Sequence, residues 1–275
     1  MDKMVTKHIK SIKMEGVMIK NALHEFDETK YHPSTVIGEF SGRDSVAAIM
    51  KAFESEDINY ILPVASFAGS EYGDYDEIYG NYKNILKVVK ERYGKEKNLY
   101  PLHEYNREDL WHLMNGRYMA QVTKKFGFMT PCIGCHLYFH LIKLNFAKAL
   151  SNRVISGERE SHDGKIKMNQ YPLSLDAYKR VMNYFDTELL MPIRYISDGE
   201  SIEKLIGFPW VEGKNHPKCI LSGNYRDTTG QAIFNIEELK NYLENHLIIL
   251  GQVIGEYLLD QNRSIEKLKE KIQEI

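Results

Sequence analysis

The chain has 275 residues, with 36 Lys and Arg against 38 Asp and Glu, and three cysteines. That length holds one large domain, or one with a smaller appendage, and 43% apolar with 27% charged residues excludes wholesale disorder and collagen-like or low-complexity architectures. A net charge of −2 argues against coating by nucleic acid through bulk charge, while a local basic groove stays permitted.

Residues 1–34 read as a Lys-rich amphipathic lead-in. Met1 to Lys20 scatters five lysines among apolar residues and lacks the uninterrupted apolar run of a signal sequence. From about residue 35 to 235, short β-branched runs alternate with amphipathic segments, which predicts an α/β domain with a mainly parallel sheet. Val36–Phe40 reads as a buried strand, Ser41–Ser45 as a tight turn and Val46–Phe53 as a helix. A second strand is expected at Tyr60–Ala65, a helix over Asp76–Tyr93 and a third strand at Asn98–Leu102. Helices follow over Arg107–Phe126 and Pro131–Leu150, then strands at Arg153–Ser156 and Leu189–Ile193. Residues 236–275 are wholly helical in pattern, with Leu250, Val253, Ile254, Tyr257 and Leu258 on one stripe. That stripe suits a helix packing on its own domain or one pairing with a second copy. The longest apolar stretch, Leu247–Leu259, is too short to span a bilayer, so a soluble, cytoplasmic protein without a membrane partner is expected.

Chemistry in open parallel sheets lies beyond the carboxyl ends of the strands, which directs attention to the turns after Phe40, Ala65, Ile155 and Ile193. In Ser41-Gly42-Arg43-Asp44-Ser45 the glycine permits close backbone approach. Hydroxyls, helix N–H groups and the positive end of the helix dipole converge there, and Arg43 adds a fork suited to phosphate oxygens. A helix capped by Asp44 or Ser45 needs no ligand and is the plain alternative.

Thr130-Pro131-Cys132-Ile133-Gly134-Cys135-His136 opens a helix with both thiols on one face, where the helix dipole is expected to lower their pKa values. Cys219 follows His216-Pro217-Lys218 far downstream. A reducing compartment disfavours a disulfide framework. The pattern admits c-type haem attachment, a redox dithiol, or a structural Zn2+ held by Cys132, Cys135, Cys219 and His216.

The segment Ser41-Gly42-Arg43-Asp44-Ser45, between a buried strand and a helix, resembles the pyrophosphate-binding loop of the PP-loop ATPases, one residue shorter and without the second glycine. Ile155-Ser156-Gly157-Glu158-Arg159 is similar to that family's second nucleotide-binding turn, and Leu190-Met191-Pro192-Ile193-Arg194 to its late Pro-containing strand. The resemblance covers about residues 36–206. It implies an open, mostly parallel Rossmann-like sheet of the HUP type with helices on both faces, and an enzyme that splits ATP to adenylate a substrate oxygen. By it, Ser41, Gly42, Arg43, Asp44 and Ser45 would hold the phosphates and Mg2+, with Asp44 as metal ligand. Backbone at Ala65 and Ser66 would meet the adenine, and Gly157 and Glu158 the ribose.

The cysteine spacing is in turn similar to the PP-loop tRNA thiolation enzymes and related sulfur-transfer enzymes, which implies a 4Fe-4S cluster on Cys132, Cys135 and Cys219 with one iron open to incoming sulfur. The polar turns 158–164 and 221–227 are solvated turns on the plain reading. They also supply Arg159, His162 and Arg226 for substrate orientation. The expectation is an ATP-dependent sulfurtransferase acting on tRNA or a small molecule, drawing on a sulfur donor. An ATP-dependent ligase or amidase with structural zinc, and a non-catalytic nucleotide-binding or redox-sensing module, are the alternatives.

Overall fold

The computed structural model describes residues 26–73, 76–210, 217–260 and 264–275. The sequence-based lead-in up to residue 25 and His216 lie outside the described residues. The frame is a six-stranded sheet whose pairings are all parallel. Strands β1 (Val36–Phe40) and β2 (Tyr60–Ala65) pair in register Phe40 to Ala65. The short antiparallel strand β3 (Glu71–Tyr72) stands outside this sheet. Strands β4 (Asn98–Leu99) and β5 (His103–Glu104) both pair with β2; β6 (Arg153–Ile155) pairs with β1, and β7 (Glu188–Leu190) with β6. The order β4-β2-β1-β6-β7 reverses direction between β1 and β6. The expected single strand at 98–102 is two strands because Pro101, between them, has no N–H for a ladder.

Side chains alternate across the sheet and feed two cores. Val36, Phe40, Ile61, Ala65 and Ile155 pack with α1 (Arg43–Ala52), α2 (Asp76–Tyr93) and α8 (Gly199–Ile206). Ile37, Leu62, Val64, Val154 and Leu189 face the other side, onto α3 (Glu108–Asn115), α5 (Pro131–Leu141), α6 (Leu144–Ala149), α7 (Pro172–Tyr184) and α10 (Ile248–Leu259). The expected helix 107–126 is broken at Gly116 into α3 and α4 (Met119–Phe126), and that over 131–150 breaks between α5 and α6, where Lys143 sits buried. Helix α7 was absent from the sequence reading, although Pro172 at its first position after extended Tyr171 is a helix-start signal.

Beyond residue 235, α9 (Ile236–Tyr242) runs through a π-helical turn, 243–247, into α10, and α11 (Ile265–Glu274) packs back on α10. The striped face of α10 lies on α5, α6 and α7 of its own domain. Among the described residues no helix is long and apolar enough to cross a membrane. Close approach of α10 depends on Gly255, where an added Cβ would stand 2.3 Å from the Phe185 ring. Gly255→Ala should therefore lower unfolding stability by about 1–3 kcal/mol through overpacking. A denaturation midpoint equal to wild type would contradict this packing.

Candidate functional site

A cleft of about 670 Å³ opens at the carboxyl ends of β1, β2 and β6, the position where the strand order reverses. It gathers Ser41, Gly42, Arg43, Asp44 and Ser45. Ser66, Gly157, Glu158 and Arg226 join them, together with all three cysteines. Ala65, Arg159 and His162 do not line it.

Helix α1 begins at Arg43, three residues earlier than the periodicity suggests, so Arg43, Asp44 and Ser45 form its first turn. Neither Asp44 nor Ser45 is the cap. Gly42 holds that position, and no side chain caps the helix. Ser45 instead closes the turn: its Oγ accepts from the Ser41 N–H at 2.9 Å and donates to the Gly42 carbonyl at 2.8 Å. The uncapped N–H groups and helix dipole leave a place for an anion. The Arg43 fork is directed along Asp44 and toward Glu203 on α8, at 3.3 and 3.8 Å, rather than standing as a lone phosphate clamp.

Gly157 presses on this turn from below. A Cβ there would stand 2.4 Å from the Ser45 nitrogen, so only glycine lets the two backbones approach this closely. Arg159 is fully buried; its Nε donates to Asp44 Oδ2 at 3.2 Å, Nη1 to the Ile196 carbonyl at 3.2 Å and Nη2 to His162 Nδ1 at 2.8 Å. That bond makes His162 Nδ1 the acceptor, so Nε2–H donates to Gln170 Oε1. Burial first, then Lys167 and Arg159, pushes His162 down to about 4. Arg159 and His162 thus position Asp44 from beneath the cleft. Arg226 is at the cleft wall, but its guanidinium is engaged by the Gly230 and Ile166 carbonyls, so it pins two loops together. The Ala65 side chain is in the core, and its carbonyl accepts from Tyr105 N–H at 3.0 Å.

A buried polar chain crosses the site, of whose ionisable members the sequence reading named only Glu158 as a site residue. His140 is fully buried; its Nδ1 lies 2.6 Å from Glu39 Oε1 and its Nε2 3.4 Å from Glu158 Oε1. Burial opposes its charge, but Glu39 and Glu158 outweigh it and raise His140 to about 9. His136 Nδ1 donates to Glu158 Oε1 at 2.7 Å, while its Nε2 accepts from Asn169 Nδ2 at 2.7 Å. Burial pushes the Glu158 carboxyl up, yet His136 and His140 together hold it well below the usual carboxylate range. Lys143 Nζ donates to Ser66 Oγ at 2.7 Å, and burial lowers it to about 8. Glu71, whose Oε2 accepts from the Ala68 N–H at 2.6 Å, is raised by burial to about 7. The signal for this set was legible as polar residues at helical spacing, His136, His140 and Lys143, behind the two cysteines of an otherwise apolar helix.

The antiparallel pair of β3 and β8 (Lys218–Cys219), also unforeseen, sets Cys219 opposite Glu71 and brings it to the cleft. Cys219 Sγ is 3.3 Å from Ser70 Oγ, and Cys135 Sγ accepts from Trp111 Nε1 at 3.3 Å. Cys132 Sγ lies 3.5 Å from Asn224 Oδ1. The expected lowering of the α5 thiols is reversed: burial pushes Cys132 up and Cys135 well up. Among the described residues no three His, Cys, Asp or Glu side chains stand close enough to hold a single ion. Cysteine thiolate is the donor type that iron–sulfur clusters take, and all three cysteines line the one cleft.

The fold and cleft define a two-sided parallel α/β protein with an uncapped helix start and three thiols in one cleft. The chain is 44% identical over 211 residues to a Methanocaldococcus jannaschii protein described as "Uncharacterized protein MJ0009", across 77% of this chain and 76% of that relative, and it belongs to the same family as that protein. No family model matches the chain.

The proton that native His140 holds up to about pH 9 leaves near 6.5 in the unfolded chain, so its stabilisation is whole below 6.5 and lost as pH rises to 9. The unfolding free energy of wild type minus that of His140→Asn, from urea titrations, should be flat below pH 6.5 and fall over that window. A difference that grows with pH would rule out a charged His140.

Proposed function

We propose that this protein is an ATP-dependent sulfurtransferase of the PP-loop kind, adenylating a substrate oxygen and replacing it with sulfur. The observation that carries the reading is the meeting, in one cleft, of the Ser41–Ser45 turn and all three cysteines, which lie far apart in the chain. The strand order, reversing between β1 and β6, is that of doubly wound nucleotide-binding sheets and supports the HUP-type reading.

In this scheme the first-turn amides of α1 and the Ser41 hydroxyl bind the leaving pyrophosphate. Asp44, oriented by Arg159, offers the hard oxygen that Mg2+ prefers. The substrate oxygen bonds to the α-phosphorus as the bond to pyrophosphate breaks; sulfur at the oxidation level of sulfide then adds to the carbon, and the oxygen departs on AMP. Cys132, Cys135 and Cys219 would hold a 4Fe-4S cluster, which when bound supplies an iron site for sulfur. Glu158, kept ionised by His136 and His140, presents Oε2 without a hydrogen-bond partner among the described residues, an acceptor for a donor group of substrate or nucleotide.

ATP–pyrophosphate exchange should be abolished by Asp44→Asn, which preserves shape beside buried Arg159, and strongly reduced by Ser45→Ala. Exchange surviving both removes the adenylation step. Anaerobic reconstitution should yield iron and sulfide in equal amounts, lost in Cys132→Ser, Cys135→Ser and Cys219→Ser. Stoichiometric zinc without sulfide would replace the cluster with a structural site.

A further inference from the structure

Lysine is rarely buried without an ion-pair partner, because an unpaired charge is costly away from water. Lys143 is 1% exposed, yet its one hydrogen bond among the described residues goes to Ser66 Oγ. Glu39 and Glu71 act on it only from beyond ion-pair distance. An ammonium has three N–H donors, so two remain at the cleft floor. The Phe139 ring lies beside it, with its centroid 5.6 Å from Nζ, and also lines the cleft. Across the floor, Glu39 gives Oε1 to His140, and among the described residues no hydrogen bond reaches its Oε2.

These groups share one side of the sheet. Glu39 and Ser66 stand two residues beyond Ile37 and Val64, which face α5 and α6, whereas the phosphate turn leads into α1 on the opposite side. A nucleotide with its phosphates on that turn and its base over the strand ends would set the base against Glu39, Ser66 and Lys143. Two backbone groups at the end of β2 are already engaged: the Ala65 carbonyl accepts from Tyr105 N–H at 3.0 Å, and the Phe67 N–H donates to Asn106 Oδ1 at 2.7 Å.

We infer that Lys143 and Glu39, flanked by Ser66 and the Phe139 ring, form a purine subsite that reads adenine by side chains, Lys143 donating to a ring nitrogen and Glu39 accepting from the amino group. This rests on the nucleotide reading of the phosphate turn. On the N7 edge adenine offers an acceptor beside a donor, while guanine there offers two acceptors and would set O6 against the Glu39 carboxylate. The ring of Phe139 supplies a flat apolar face for the base.

Calorimetric titration of the full chain with MgATP, MgGTP, magnesium purine riboside triphosphate, which lacks the amino group, and pyrophosphate tests this. Wild type should prefer ATP to both analogues. Lys143→Met should weaken ATP binding roughly ten- to a hundredfold, the loss of a charged hydrogen bond. Glu39→Gln should erase the preference for ATP over purine riboside triphosphate. Pyrophosphate, having no base, should bind all three proteins alike. Equal wild-type affinity for ATP and GTP, variants that bind ATP as wild type does, or variants that lose pyrophosphate together with ATP would each overturn the subsite. A wild-type chain that binds neither ATP nor pyrophosphate would instead remove the nucleotide reading beneath it.

Discussion

The rest of the site depends on one imidazole shared by two carboxylates. His140 stands between Glu39 on β1 and Glu158 just beyond β6, the two central strands of the sheet. Taking three ionised groups out of water is costly, and each partner makes the others tolerable; removing one would strand uncompensated charge. His136, one turn earlier on α5, completes the arrangement by bonding to Glu158. Cys132 lies one turn before His136 and Cys135 next to it, so the charge chain anchors the stretch of α5 that carries both thiols. A helix held only by apolar contacts would have had more freedom to slide.

The segment after β6 divides its work by direction. Gly157 meets the backbone of the first turn of α1, Glu158 goes toward α5, and Arg159 turns to Asp44. In extended chain successive side chains point to opposite sides, so adjacent residues can support opposite faces of one cleft. Arg159 and His162 are part of this underpinning. Both stand against Asp44, at 3.2 and 3.6 Å.

The thiols show which of two opposed effects wins. A helix N-terminus contributes roughly 0.3–1 kcal/mol in favour of an anion at an exposed site, whereas burial can move a pKa by several units. Cys135 is half-buried at the cleft, and there the second dominates, despite the hydrogen bond from Trp111. Free thiols so placed are poor nucleophiles. A bound metal would invert the balance by deprotonating its ligands outright.

The sequence by itself determined the parallel α/β character, the first strand-turn-helix unit and the residues of its turn, because periodicity, a glycine and hydroxyls at a strand end are local signals. It also placed Cys132 and Cys135 at a helix start. The resemblance grouped Cys219 with them, but what carries it to the cleft is a two-residue antiparallel pair between segments far apart in the chain, too short to leave a pattern. Glu39 looks like an isolated polar residue in an apolar run, and for it as for His140, Lys143 and Glu158 the partners come from other strands and helices. Burial, which decides whether Arg159 supports or contacts a ligand and whether a thiol is ionised, is a property of the packed whole.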